Sequence, residues 1–422
     1  MAQVIYQIVD SYYKTFEKFP KLPIIWSRQT HRIVAIRNFK ELLGWGIGCI
    51  FTMGLCVLIP KFAQFIYIVR KYLQLGHYPD GDRFATPIQV LSVAVALLAC
   101  GGAISISFFA LLFNREIVHT VNSLFDMEQV LVTRRNLVHH RAKDYRDKFT
   151  PKEALFAKVL GYVPLFALYL APAIAIFAVV NGLDPLTFVV ERYFRPDWRR
   201  YQLVRFLGFK TFSLIMLTAA VISASKILLA VACIFIFPAW FLQHNIRMLG
   251  KDYDAIGNEG VVWIRNVRIY IIMYNTIVIG FARLGPYLAV IALGMLVGCG
   301  LAITICNVVT VRMRTHLPIS LYPIFPFIVV LLTTVLNTVL RFAAECTELS
   351  AVLIRFWMRD AEQRVGAVAG KIHRERLKAM KPIEIYVGLG RETRMNINKE
   401  FVCLYNQAII DYTVKALLEL TL

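Results

Sequence analysis

Polar and charged side chains recur at four-residue intervals near the end of the chain, at Gln407, Asp411, Lys415 and Glu419. The segment around them, about 399–420, carries apolar residues at helical spacing and is long enough to cross a bilayer as a helix. Residues four apart share one side of a helix, and charges inside a membrane face a bundle interior or water. This row of polar side chains therefore predicts the water-facing side of a pore-lining helix. Intrahelical ion pairs packed against a neighbouring helix are the alternative.

No residue pattern in the chain indicates enzyme chemistry. The apolar segments contain scattered single charges instead of clusters of His, Asp or Glu, and HExxH, GxSxG and Walker sequences are absent. The eight cysteines lie in or beside apolar segments without CxxC spacing, which argues against a disulfide framework or a zinc site. We therefore expect no enzyme, no catalytic residue, no cofactor and no metal.

The composition indicates a membrane protein. Hydrophobic residues make up 58% of the 422 residues, whereas a soluble domain typically has roughly 45–50% apolar residues. The net charge of +20 fits basic loops beside anionic lipid headgroups. The Lys and Arg residues are spread among the loops without a zinc-finger or RNP-type motif. We therefore expect membrane lipids, and no nucleic acid, among the partners.

Long apolar runs divide the chain into spans and loops. We predict an all-α, polytopic (multi-pass) membrane protein with seven transmembrane helices, the last of which lies at about 399–420. Residues 1–41 are predicted to contain an amphipathic helix at the membrane surface. The first four spans are predicted within residues 42–260, and the last three within residues 261–422. The first six spans are predicted at about 42–69, 88–113, 154–180, 211–242, 284–306 and from Pro318 onward.

The fifth and sixth apolar segments are too long for simple crossings. The fifth runs from Val261 to Cys306, which is about 46 residues or about 69 Å as a helix, against a hydrocarbon core of about 30 Å. One span with a cytoplasmic extension is favoured over two spans joined near Pro286. The sixth also continues helically past the membrane, and a polar hook with Pro382 and Gly388 joins both extensions. This group predicts an assembly platform.

Aromatic side chains at helical spacing in the third span suggest the wall of a ligand pocket. Hydroxyl-bearing aromatics give a cavity both apolar surface and hydrogen bonds, although such a stripe also occurs in protein cores. Lys226, in the middle of the fourth span, is predicted to be a functional group, part of a structural ion pair, or a side chain that extends (snorkels) toward the membrane interface. The candidate pocket residues, for a small apolar or amphipathic ligand, are Tyr162, Phe166, Tyr169, Phe212, Tyr322 and Phe325.

Two stretches, the run IRNVRIYIIMYNTIVIG with Asn275 and the end of the last helix, resemble the insect and arthropod chemoreceptor superfamily of gustatory and odorant receptors. The run IRNVRIYIIMYNTIVIG resembles the family's helix before the fifth span, where an asparagine sits near Asn275. The family's gustatory signature in the last helix is TY, five hydrophobic residues and QF. Here the same register reads Tyr412-Thr413, then VKALL, then Glu419-Leu420. The first pair is reversed, a lysine enters the hydrophobic stretch and Glu-Leu replaces Gln-Phe, which indicates a divergent member.

The resemblance implies both a fold and a function. Family members have seven spans, a cytoplasmic N-terminus, long cytoplasmic extensions of the fifth and sixth helices, and a final helix that ends the chain. The implied protein is a ligand-gated, non-selective cation channel of the plasma membrane, a homotetramer or a heteromer with a related receptor, that detects a tastant or odorant in taste or olfaction. The implied pore-lining residues are Asp411, Lys415, Leu418 and Glu419, and the implied anchor residues are Asn275, Pro382 and Gly388.

Two other classes of membrane protein remain as alternatives. A heptahelical G-protein-coupled receptor would have its N-terminus outside, and the DRY-like triplet after the third span and the NPxxY-like run in the seventh are both missing. A transporter would often show internal repeats and helices broken near the midplane, and no repeat is visible in the sequence.

Overall fold

The computed structural model of the protein is mostly helical (84%). It describes residues 2–36, 38–75, 82–138, 151–193, 203–255, 260–312, 322–388 and 395–419. The helices are α1 Ala2–Phe16, α2 Phe39–Gly46, α3 Ile59–Leu75, α4 Pro87–Leu112, α5 Asn114–Val138, α6 Pro151–Val180, α7 Pro185–Tyr193, α8 Leu203–Ala255, α9 Gly260–Arg312, α10 Ile324–Val365, α11 Ala367–Lys378 and α12 Lys399–Glu419. A π-helical segment, Ile47–Leu58, joins α2 to α3. Two short antiparallel hairpins interrupt the all-α pattern: β1 Ile24–Ser27 with β2 Arg32–Ala35, and β3 Tyr386–Val387 with β4 Met395–Asn396.

Six helical stretches of the described chain are long and apolar enough to cross a membrane. They are Phe39–Leu75, Ile88–Leu112, Gly161–Tyr193, Leu207–Ala230, Ala289–Arg312 and Phe325–Ala361. These stretches overlap the first six predicted spans, so a helical chain with six candidate crossings is confirmed. The last helix, α12, is not among them, because Asp411, Lys415 and Glu419 interrupt its apolar residues. Its role as a seventh span and the cytoplasmic side of the N-terminus stay predictions.

The described chain forms two compact units. The first falls within Met1–Val118 and Asp144–Cys233, and the second within His119–Lys143 and Ile234–Leu422. This division differs from the predicted segments 1–41, 42–260 and 261–422. The N-terminal segment packs into the first unit, and the end of α8 belongs to the second.

Helix α1 packs along its apolar face against other helices of the first unit. Tyr12 and Phe16 are buried and form a cluster with Leu168 of α6 and Ala230 of α8. The hydroxyl of Tyr12 donates to the backbone carbonyl of Lys226 at 2.9 Å. The predicted amphipathic helix is therefore present, but protein covers its apolar side chains where a membrane surface is expected.

The first candidate span changes its helical pitch just before Pro60. The N–H of Ile59 donates to the carbonyl of Gly54, five residues back, at the end of the π-helical segment. Proline has no N–H to donate, and a widened turn is one way in which a helix accommodates an interrupted hydrogen-bond ladder. The helix then continues to Leu75, so Pro60 does not end the span.

The core of the second unit joins the ends of four helices. Trp357 of α10 and Tyr270 of α9 are both fully buried, and their rings meet edge to face with centroids 5.5 Å apart. Leu249 of α8, Leu377 of α11 and Ile383 of the hook complete the cluster. Burial raises the pKa of Tyr270 above its ordinary value, so its hydroxyl stays neutral.

Helix α9 runs without a break for 53 residues, Gly260–Arg312. The prediction of one long helix in the fifth apolar segment is thereby confirmed. Helix α10 also extends beyond its apolar part, but it ends at Val365, and Gly366 with φ 87° separates it from α11. Glycine adopts a positive φ readily, whereas other residues are strained there. The predicted sixth extension is therefore divided into two helices.

Replacing Trp357 with alanine should destabilise the second unit by about 3–5 kcal/mol, because loss of a buried indole leaves a cavity. Val352→Ala on the same helix is the control, since the Val352 side chain is 54% exposed. Thermal unfolding of the detergent-solubilised full-length protein measures the difference. Equal melting temperatures for the two variants would contradict the core described above.

Candidate functional site

The hook before α12 is held in the core of the second unit. Ile383 and Val387 are buried, and the N–H of Ile383 donates to Oγ of Ser350 in α10 at 3.0 Å. Gly388 follows with φ 146°, and its N–H donates to the carbonyl of Ala289 in α9 at 3.3 Å. Only glycine adopts this backbone conformation without strain. The hook therefore fixes where α12 begins with respect to α9 and α10.

Two of the three predicted anchor residues belong to this hook. Gly388 is buried, and Pro382 is half-buried next to Ile383. Asn275 is exposed on α9 and does not join them. The sequence also starts α12 locally, because Oδ1 of Asn398 accepts the N–H of Phe401 at 2.7 Å, as an N-cap residue does.

One face of α12 packs against α9 and α10. The hydroxyl of Tyr405 donates to the carbonyl of Leu296 in α9 at 2.6 Å. The approach is close because α9 has Gly300 here, where a Cβ would lie 3.1 Å from the Tyr405 oxygen. Next to it, Nδ2 of Asn406 donates to Oδ1 of Asn337 in α10 at 2.8 Å. These two contacts determine which face of α12 is covered.

An arginine holds the C-terminal end of α12. Nη2 of Arg312, the last residue of α9, donates to the carbonyl of Leu417 at 2.6 Å. The last carbonyls of a helix lack intrahelical donors and carry partial negative charge, so a guanidinium is favourable there. Helix α12 is thus fixed to α9 at two places along its length.

The opposite face of α12 is uncovered in the described chain. Leu404, Asp411 and Leu418 are exposed at intervals of seven residues, and so are Gln407 and Val414. Seven residues is the repeat at which helices of a bundle contact one another. Here, however, polar and charged side chains interrupt the apolar ones. The predicted pore-lining residues all lie on this exposed face, namely Asp411, Lys415, Leu418 and Glu419.

The charges on the exposed face are weakly paired. Nζ of Lys415 lies 3.8 Å from Oε1 of Glu419, and both side chains are 67% exposed. An ion pair that exposed contributes little stability. The pair faces away from α9 and α10, the helices that α12 contacts in the described chain. With Asp411, the face carries two carboxylates and one ammonium and is negative in sum.

The aromatic residues predicted to line a pocket on α6 face outward. The small residues Ala171 and Ala175 occupy the buried side of this helix. The structure therefore places the aromatic side chains of α6 on the outside of the first unit, and the pocket they were predicted to line stays a prediction. The exposed fractions in the first unit are Tyr162 61%, Phe166 51%, Tyr169 70% and Phe212 45%.

The other two predicted pocket residues belong to the second unit. Tyr322 and Phe325 lie at the start of α10, and both are half-buried. The structure thus does not collect the six predicted pocket residues within one compact unit.

Lys226 has a structural contact. Its side chain is buried, and Nζ donates to the backbone carbonyl of Pro20. This contact favours the structural interpretation, with a backbone carbonyl as the partner in place of a carboxylate. The lysine ties the N-terminal segment to α8 within the first unit.

The residues that position α12 were missed at the level of sequence. Tyr405, Asn406 and Arg312 make its polar contacts, and none was a candidate. The available signal was the presence of Asn337 and Asn406 inside otherwise apolar segments. Within a membrane such amides hydrogen-bond between helices, but the sequence does not say which partner each one finds.

Comparison of the sequence with protein-family models and with curated proteins finds no match to either. Within the described ranges, no group of three His, Cys, Asp or Glu side chains is placed to hold a metal ion. The function therefore has to be argued from α12 and the residues that position it.

Replacing Tyr405 with phenylalanine should loosen α12, because it removes the hydrogen bond to Leu296, worth about 1 kcal/mol. Amides of α12 should then exchange with deuterium about fivefold faster through local opening. Tyr412→Phe is the matched control, since Tyr412 is 68% exposed on the same helix. Hydrogen exchange followed by mass spectrometry is the measurement. Identical exchange in the two variants would argue against the contact.

Proposed function

We propose that this protein is a chemosensory receptor, of the gustatory or odorant type, that acts as a ligand-gated, non-selective cation channel with α12 lining the pore. The observation that carries the proposal is the exposed face of α12, where Gln407, Asp411 and Glu419 alternate with Leu404 and Leu418. The resemblance of its last residues to the gustatory signature supports the same assignment.

The physical argument concerns the cost of a charged face in lipid. Helix α12 has 21 residues, or about 31 Å of helix, enough to cross a bilayer. Charged side chains within a membrane are expensive unless protein or water covers them. Copies of the same helix around a central axis cover one another with protein where they touch and with water along the path between them. Val414, at the edge of this face, then contacts a neighbouring copy, while Asp411, Leu418 and Glu419 face the axis and its aqueous path.

The charge on the exposed face favours cations over anions. Rings of acidic side chains attract cations in channels, and the carboxylates of Asp411 and Glu419 outnumber the ammonium of Lys415 on each chain. The partial pairing of Lys415 with Glu419 weakens the field without cancelling it, which fits a channel that discriminates little between cations.

The packed core around Trp357 is proposed to serve as the anchor through which a homotetramer, or a heteromer with a related receptor, assembles. The hook joins this core at Ile383 and a second apolar cluster at Val387, just before α12 begins. A tastant or odorant that binds the open arrangement more tightly than the closed one shifts the population toward conduction. The plasma membrane is the proposed location.

Cells that express only this chain should show a fast cation current in response to a ligand from a broad panel of tastants and odorants, with G-protein signalling blocked.

Glu419→Gln should change cation selectivity or the block by divalent ions, because it removes charge from the proposed ring. Glu375→Gln, which removes an exposed carboxylate from α11, is the control and should leave permeation unchanged. Unchanged permeation in Glu419→Gln would remove this residue from the pore, and a current abolished by the G-protein block would refute the mechanism.

Subunits should cross-link through the exposed face of α12. In a Cys403→Ser background, Leu418→Cys should form disulfide-linked dimers under mild oxidation, because Leu418 is 74% exposed and faces the proposed axis. Val402→Cys is the control, since Val402 packs against the second-unit core. Non-reducing electrophoresis of membranes measures the product. Equal cross-linking at both positions, or none at Leu418, would count against an axial α12.

A further inference from the structure

A lysine of the first unit is buried, and its hydrogen bonds within the described chain go to neutral side chains. Lys61 of α3 is 2% exposed and lies in the first candidate span. Its Nζ donates to Oε1 of Gln64 at 3.1 Å and to Oγ of Ser92 in α4 at 2.8 Å. An ammonium has three N–H donors. Among the described residues, one donor of Lys61 therefore has no acceptor and no carboxylate is paired with it.

The groups next to Lys61 are already engaged with one another. Nε2 of Gln64 donates to Oε1 of Gln89 at 2.9 Å and to the carbonyl of Phe84 at 3.0 Å. Nε2 of Gln89 in turn donates to the carbonyl of Gly182 at 2.9 Å. Both amides are thus held in one orientation, and neither can supply a negative charge to the lysine.

The carboxylate of the same buried region is compensated by a different cation. Asp184, whose side chain is fully buried, accepts from Nζ of Lys210 at 3.1 Å, from Oγ of Ser213 at 2.7 Å and from the N–H of Thr187 at 3.2 Å. Among the described residues, the region contains the ammonium groups of Lys61 and Lys210 with the carboxylate of Asp184, and the Lys71–Asp82 ion pair, which is neutral in sum. It therefore has an excess of one positive charge.

A buried charge without a counter-ion is costly, and an ionisable residue in a membrane span points to function. A single negative charge from outside the chain would balance the excess and would accept the remaining N–H of Lys61. A phosphate dianion would instead leave one negative charge in surplus. Two helical turns along α3 from Lys61, Ile68 forms an apolar cluster with Ala85 and with Val93 of α4, and these side chains suit an alkyl chain.

We propose that Lys61 binds the carboxylate of a small monocarboxylic acid, whose alkyl chain lies against the apolar cluster of α3 and α4. The site is a binding function of the first unit and goes beyond the pore proposed for α12. If the protein is the receptor proposed above, the inference also names a class of ligand, and that step alone rests on the proposed function.

The test is thermal unfolding of the full-length protein in detergent, followed with a thiol-reactive dye because Cys49, Cys100 and Cys346 are buried. Hexanoate should raise the melting temperature in a saturable way, whereas 1-hexanol, of the same chain length without charge, should not. Sodium chloride and sodium phosphate at the same ionic strength should also have no such effect. The readout needs no current, so its failure and the failure of the channel proposal are distinguishable.

Lys61→Met should weaken hexanoate binding at least about tenfold, since a hydrogen bond to a charged group is lost. Without ligand, this variant should melt no lower than the unmodified protein, because an uncompensated buried charge is removed. Lys226→Met is the matched control, a second buried lysine in a span, and should bind hexanoate unchanged. Ser92→Ala should weaken binding a few-fold while keeping the charge, and it provides the test if Lys61→Met does not fold.

Several outcomes would overturn the proposal. These are no stabilisation by hexanoate, equal stabilisation by 1-hexanol, an equal effect of chloride or phosphate, or an equal loss of binding in Lys226→Met. Loss of hexanoate binding in Lys61→Met and in Ser92→Ala, with binding retained in Lys226→Met, would establish the site.

Discussion

The charged face of α12 is the constraint on which the rest of this structure depends. Asp411, Lys415 and Glu419 keep α12 below the hydropathy of the six other candidate spans. Such a helix is poorly placed in a bilayer by its own composition. Contacts with α9 and α10 position one of its faces, and the other face is exposed in the described chain.

The second unit meets this requirement with a core next to the start of α12. Burial of Ile383 and Val387 ties the hook to the ends of the long helices, and the polar contacts of Tyr405 and Arg312 orient α12 along α9. Both α9 and α10 extend beyond their apolar stretches. These extensions have a clear role, since without them the hook would have no apolar surface to pack against.

The sequence could predict what depends on local composition and spacing. The six apolar helices and the unbroken α9 follow from hydropathy and length, and the shared face of Asp411 and Glu419 follows from helical geometry. The direction of Tyr162 and Tyr169 could not be predicted, because lipid and protein interior both accept aromatic side chains; the alanines on the other side of α6 decide it. The contact of Tyr405 with Leu296 joins residues 109 apart, and no local pattern encodes such a distance.

The close approach of Tyr405 to α9 at Gly300 also restricts how α12 can move. A displacement by one helical turn, about 5.4 Å, would bring the Tyr405 ring to the level of Leu296 or Thr304, where a Cβ occupies the space that Gly300 leaves open. Intermediate positions lose the hydrogen bond without gaining a new one. Sliding along α9 is therefore opposed in both directions. Any rearrangement that preserves this contact has to carry α9 and α12 together as one rigid pair.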